Sequence, residues 1–259
     1  MNPDRRPEHD ALLCERCGYD LRGSRDDSSC PECGRPIAES LPGRRRGSAW
    51  QRSPSPRAVL ETGAAFLRTP RRASREIEIE PARSRALLAT NVLAGAAVFQ
   101  IGVVIARIMM LGQGGIALGD LWFGVSFLVA ALAMTQIERI GIEAFGRRRR
   151  WRITRQVSLA VCAHASVGWV VAGALVAGAM LLLAALPHDL RFLPSGGLLR
   201  GTRLAGLHVM PVLLGLSGFA GMLVFETLVY FGVRECRFAN HAGVRESLED
   251  SANREQPAT

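Results

Sequence analysis

Of the six cysteines in the chain, four stand in two matched pairs, Cys14-Glu-Arg-Cys17 and Cys30-Pro-Glu-Cys33, with twelve residues between them. Two residues between thiols let both sulfurs reach one metal ion from a single tight turn. Zinc takes four such thiolates at about 2.3 Å in closed structural sites. Gly18 and Gly34 follow the second cysteine of each pair, where a sharp turn calls for positive φ. Pro31 pre-sets one of the two turns. Two matched pairs predict a structural Zn2+ site on Cys14, Cys17, Cys30 and Cys33. An iron site of rubredoxin type uses the same ligands and stays open as the alternative. A redox dithiol would show one C-x-x-C in a βαβ setting, and no such setting is visible. With four protein ligands the site has no open coordination position, so it reads as structural and not catalytic. A module of about 25 residues buries little core, so metal binding must supply most of its folding energy. Tyr19, Leu21 and Ile37 are its expected packing residues.

The rest of the chain positions this module. Residues 1–13 read as a flexible N-terminus, 14–38 as the zinc ribbon, and 39–57, rich in Arg, Ser, Pro and Gly, as a flexible linker. Residues 58–69 form a candidate amphipathic helix with Val59, Leu60, Ala64, Phe66 and Leu67 on one face and Arg57, Arg68, Arg71 and Arg72 around it. Such a helix would lie on an anionic membrane surface; a plain helix or a spacer is the alternative. A domain of four apolar segments then fills 86–233, as 86–106, 121–137, 157–186 and 204–233, followed by a polar tail over 234–259. About 20 apolar residues cross a bilayer. The fold class expected is therefore an all-α membrane protein, a four-helix transmembrane bundle preceded by a small zinc-ribbon module.

All 32 basic residues are Arg, and the formal charge is +9. A basic chain invites a nucleic-acid reading, but here the Arg residues flank the apolar segments, which disfavours it. Counted by alternate compartments, 28 Arg lie with the termini and the loop 138–156, against four in the loops 107–120 and 187–203. Cytoplasmic loops carry the Arg excess, so both termini are expected in the cytoplasm and the protein in the inner membrane. The first 40 residues hold no apolar core of a signal peptide, and reduced cytosolic thiols favour metal over disulfide.

Several polar residues fall inside the apolar segments. His164 lies seven residues into the third and Glu226 seven before the end of the fourth, which sets both about 10 Å inside the cytoplasmic boundary. Asn91 and Gln136 lie near the same depth. Intramembrane ionisable residues face the bundle interior and pair. A proton or ion relay, or a small-solute site, on His164, Glu226, Asn91 and Gln136 is one reading; a polar cluster that ties helices together is the other. Gly173 with Ala177, Ala174 with Gly178, and Ser217 with Gly221 are spaced four apart and allow close helix approach, within the bundle or across a homo-oligomer face.

Cys17-Gly-Tyr-Asp-Leu-Arg-Gly23 followed by Cys30-Pro-Glu-Cys-Gly34 resembles the zinc ribbon at the N-terminus of many bacterial multi-pass membrane proteins. That resemblance implies a metal role for the four cysteines. The stretch Phe66–Pro70, several membrane helices and Gly232-Val-Arg234 resemble, more weakly, the Yip-domain family, which implies a part in membrane organisation. Five helices are usual there, and four are counted here. No P-loop, dinucleotide fingerprint, metalloprotease motif or nucleophile elbow occurs. The reading is a non-enzymatic, membrane-anchored binding or scaffold protein whose ribbon meets a cytoplasmic protein partner while the helices meet the lipid bilayer. The alternative is a small transporter or channel using the intramembrane polar layer; a membrane-tethered nucleic-acid binder is a third.

Overall fold

The computed structural model describes residues 11–41, 43–111, 118–186 and 209–240. Residues 1–10 of the expected flexible N-terminus, the loops around 112–117 and 187–203, the start of the fourth segment at 204–208 and the tail beyond 240 lie outside the described residues. After the cysteine module and a single 3-10 turn at Ile37–Glu39, the elements are α1 (Ala49–Arg52), α2 (Pro56–Arg68), α3 (Pro70–Glu76), α4 (Pro81–Leu111), α5 (Leu118–Arg148), α6 (Arg155–Ala165), α7 (Val167–Ala185) and α8 (Val209–Cys236). No strand forms among the described residues. Two isolated antiparallel bridges, Leu13 with Asp20 and Ser29 with Pro36, each close one cysteine turn.

Four helices are long and apolar enough to cross a membrane: Pro81–Met110, Gly119–Arg148, Arg155–Ala185 and Pro211–Cys236, with mean hydropathies of 2.1, 1.5, 2.3 and 1.9. The third is α6 and α7 read as one. They meet at Ser166, which keeps right-handed helical dihedrals while Trp169 N–H donates to Ser166 O at 2.9 Å. One turn thus tightens to 3-10 geometry at the start of α7. Pro81 opens α4 at a position where its missing N–H costs nothing.

The chain divides into two compact units, one of residues 1–88, 135–165 and 228–259, the other of 89–134 and 166–227. In the second, helices approach through small residues. A Cβ on Gly95 would lie 2.6 Å from the carbonyl oxygen of Trp169. Cβ atoms on Gly173 and Gly102 would overlap Gly95 O and Ala177. α4 and α7 therefore touch backbone to backbone. Gly221 meets Ala172, Gly168 faces the Phe225 backbone, and Trp169 stacks on Phe225 at 4.8 Å, which brings α8 onto the other side of α7. α5 joins through Phe127 on Phe99 at 5.3 Å and Gly124 N–H donating to Gln100 Oε1 at 2.9 Å. Half of the most apolar window of α6–α7 is buried, against 11% of that of α5, so α5 is the most exposed of the four. Gly173 and Ala177 thus serve packing within the bundle, while Ala174 and Gly178 are exposed.

The other unit holds the cysteine module, α1–α3 and the polar ends of the long helices. Within 39–57, expected as a flexible linker, the described residues from 43 onward form capped helices and specific contacts. Ser48 caps α1 in a capping box with Gln51, Ser55 caps α2, and Pro56 takes its first position. Gln51 is buried and pairs with the backbone of Glu78 in both directions, donating to its carbonyl at 2.6 Å and accepting from its N–H at 3.1 Å. α2 forms where the amphipathic helix was expected. Ala58, Thr62, Gly63 and Phe66 face inward, whereas Leu60 and Leu67 are exposed. The buried stripe follows the 3.6-residue period but is built largely from small residues, which let α2 lie close to its neighbours.

Candidate metal centre

Each cysteine pair sits on the same backbone turn. Cys14 N–H donates to Tyr19 O at 2.8 Å and Gly18 N–H to Cys14 O at 2.8 Å; Cys30 N–H donates to Arg35 O at 2.8 Å and Gly34 N–H to Cys30 O at 2.9 Å. Gly18 and Gly34 adopt φ of 80° and 69°, the left-handed region that Gly enters without strain. The two turns differ in their surroundings. A Cβ on Gly34 would meet open space, but one on Gly18 would lie 2.7 Å from the Phe238 ring.

The turns bring Cys14, Cys17, Cys30 and Cys33 together, with all four sulfurs within 4.8 Å of one another. Cys14 Sγ lies 3.6 Å from Cys33 Sγ, and Cys17 Sγ 3.6 Å from Cys30 Sγ. A tetrahedron with sulfurs at 2.3 Å from its centre has edges of about 3.8 Å. The thiols are thus spaced to hold one metal ion, and the set of four sulfurs suits a soft or borderline cation. Burial raises the Cys14 thiol, but N–H groups of Cys17 and Arg16 outweigh it and bring it down to about 7. Cys17 is pushed up to about 12 by burial and by the neighbouring thiols. Burial, with the Cys14 and Cys30 thiols, also raises Cys33. Beneath the sulfurs lies a small core of Leu12, Leu21 and Ile37, flanked by Tyr19 and Leu41.

No protein-family model, curated protein or solved structure matches the chain. The resemblances to the ribbon and Yip-domain families therefore stay with the residues that carry them.

Polar residues outside the cysteine module hold it against the rest of its unit. Asn240, just past α8, accepts from Leu13 N–H at 3.1 Å and donates to Leu13 O at 2.8 Å and Ser40 O at 2.7 Å. The buried guanidinium of Arg152 donates to Asn240 Oδ1, Ala11 O and Ala239 O. Arg45 binds Glu15 through two parallel bonds of 3.0 Å. It also reaches the carbonyls of Ser74, Ile77 and Glu235. Those carbonyls close α3 and α8, where the last turn of a helix leaves acceptors without partners. Burial alone would lower Arg45; Cys236 and the Glu15 carboxylate beside it turn the balance and raise it. None of Asn240, Arg152 and Arg45 was expected from the sequence. Arg45 is one of three consecutive arginines, and nothing local marks it as the buried one.

The intramembrane polar residues have partners of their own. His164 is buried; its Nδ1 bonds Ala160 O at 2.8 Å and its Nε2 bonds Ser48 Oγ at 3.0 Å, with the Phe66 ring 5.2 Å away. A carbonyl only accepts, so the proton lies on Nδ1 and Nε2 takes the Ser48 hydroxyl hydrogen. Asn91 donates to Ser166 Oγ at 3.0 Å. Gln136 is exposed and accepts from Arg139 at 2.9 Å. Glu226 is partly buried on α8.

Proposed function

We propose that the protein is a membrane-anchored zinc-ribbon scaffold without catalytic activity. In this reading it lies in the inner membrane with both termini in the cytoplasm, and its ribbon binds a cytoplasmic protein. The observation that carries the reading is the closed four-thiol cluster tied by Asn240, Arg152 and Arg45 to the ends of α3 and α8. A closed thiolate site offers a substrate no coordination position, so its use is to shape a surface. Tying that surface to helix ends lets a bound partner sit at a fixed place on a membrane anchor. Zinc is the metal that fits a closed tetrahedral set of thiolates in a reducing compartment. Both ring nitrogens of His164 are engaged by Ala160 and Ser48, which supports a structural role for it over a place in a relay.

The test uses the full chain purified from membranes beside a variant with Asp26→Arg and Glu32→Arg. Both residues are exposed on the ribbon and leave the thiols intact. A protein retained by the wild type and lost by the variant, at unchanged metal content, is the expected result. An empty list for the wild type, together with solute flux that Glu226→Gln abolishes, would replace the scaffold reading with transport.

A further inference from the structure

A cleft of about 930 Å³ opens beside the second cysteine turn, bounded by that turn, by Arg44 and Arg45, by α3 and by the end of α8. Seven arginines and three glutamates line it. Each glutamate is already matched: Glu39 to Arg35 at 2.8 Å, Glu15 to Arg45 at 3.0 Å and Glu235 to Arg75 at 2.7 Å. Four arginines remain, and no carboxylate among the described residues pairs with Arg16, Arg44, Arg234 or Arg237. Arg237 spends one Nη on Arg16 O at 2.7 Å, and its buried Nε has no acceptor among the described residues. Arg234 rests on Tyr230, 5.8 Å from the ring centroid, with Nη1 donating to the hydroxyl at 3.0 Å. Like charges gathered around one concavity without counter-charge raise its potential and concentrate anions there.

We propose that this cleft binds an anion carrying two or more phosphates. The guanidinium fork matches phosphate oxygens in pairs, which a single point charge cannot do. Four uncompensated guanidinium groups balance more charge than one phosphate bears, and the cleft is of the size that holds a small ligand. Such an anion has two sources, the headgroup of a two-phosphate lipid or a soluble polyphosphate. Tyr230 is exposed one turn before Arg234, near the end of the apolar run of α8. Tyrosine at that place on a spanning helix marks headgroup depth. The cleft is thus within reach of both sources.

The experiment uses the full chain in nanodiscs of neutral lipid, wild type beside Arg44→Gln/Arg234→Gln. Both side chains are exposed and outside the buried network, and metal content and unfolding temperature verify that the variant is folded. Arg25→Gln, an exposed ribbon change away from the cleft, is the control. One arm titrates tripolyphosphate; the other mixes cardiolipin into the discs and counts retained lipid by native mass spectrometry. Binding in either arm that falls about tenfold for each arginine removed, with the control unchanged, is the expected result and names the source. Binding in neither arm, or binding that the double variant leaves as strong as wild type, overturns the proposal.

Discussion

Replacing Asn240 by Ala removes one amide that serves three backbone groups of the N-terminal module: Leu13 N–H, Leu13 O and Ser40 O. Leu13 and Ser40 are each only 1% exposed, so water does not replace the lost bonds without movement. A buried polar group left without a partner costs about 1–3 kcal/mol. Three groups, discounted for relaxation around the small cavity, give about 3–6 kcal/mol, or roughly 10²- to 10⁴-fold in the equilibrium between docked and released module. The assay is amide hydrogen exchange on the metal-loaded full chain in nanodiscs. Exchange at the Leu13 amide should rise by that factor. The amides of Gly18 and Gly34 should stay protected, because they bond carbonyls inside their own metal-held turns. Asn240→Asp should not rescue: its oxygen still accepts from Leu13 and Arg152, but an acceptor then faces the carbonyls of Leu13 and Ser40. An unchanged Leu13 amide in the Ala variant would refute the clamp. Loss of metal together with all turn protection would show that docking and metal-driven folding are one event, and a clamp separate from the metal site would then be ruled out.

Gly34→Ala should cost only the strain of positive φ, about 1–2 kcal/mol, whereas Gly18→Ala adds a collision with Phe238 and should cost distinctly more in denaturant unfolding of the metal-loaded protein; equal losses would remove Phe238 from the account. Metal affinity should rise with pH, since each thiol must lose its proton to bind. Cys17, near 12, and Cys33, also raised, release their protons on binding throughout the neutral range, while Cys14, near 7, does so only below that pH. The slope of log affinity against pH should therefore fall by about one across pH 7, and competition with a chelator measures it; a constant slope from pH 6 to 8 would count against the assignment of Cys14. Gly173→Leu should overpack the contact of α7 with Gly95 and cost about 1–3 kcal/mol or more in detergent unfolding, while Gly178→Ala, which meets nothing within 4 Å, should be neutral or stabilising.

What the sequence could show divides by range. The convergence of Cys14, Cys17, Cys30 and Cys33 was legible because each pair is local and its turn is set by the residues between and just after the thiols. The four membrane-length helices were legible because crossing lipid is a matter of composition over about 20 residues. The helix starts within 43–57 were half-legible: Ser48-x-x-Gln51 is a capping-box pattern and Ser55-Pro56 a helix start, yet the surrounding Arg, Ser and Pro hid them. The inward face of α2 was not legible because Ala58, Thr62 and Gly63 bury by being small, while the larger Leu60 and Leu67 stay exposed. Arg45, Arg152 and Asn240 could not be seen at all, since their partners lie between 29 and 227 residues away. The same holds for His164, whose Ser48 partner is 116 residues distant.

Those long-range bonds tie metal occupancy to the helix ends. The first cysteine turn places Leu13 and Glu15 beside Cys14, so the turn that gathers the sulfurs also presents Glu15 to Arg45 and the Leu13 backbone to Asn240. Without the metal, a core of Leu12, Leu21 and Ile37 is too small to keep that turn formed. Arg45 would then lose its one carboxylate partner among the described residues while still enclosed by the carbonyls of Ser74, Ile77 and Glu235, and removing one partner of a buried ion pair costs about 3–5 kcal/mol. That cost falls on the ends of α3 and α8, which Arg45 otherwise joins. A metal held by the four thiols would thus bear on the ends of α3 and α8 through a single guanidinium, by setting whether Glu15 is in place to balance it.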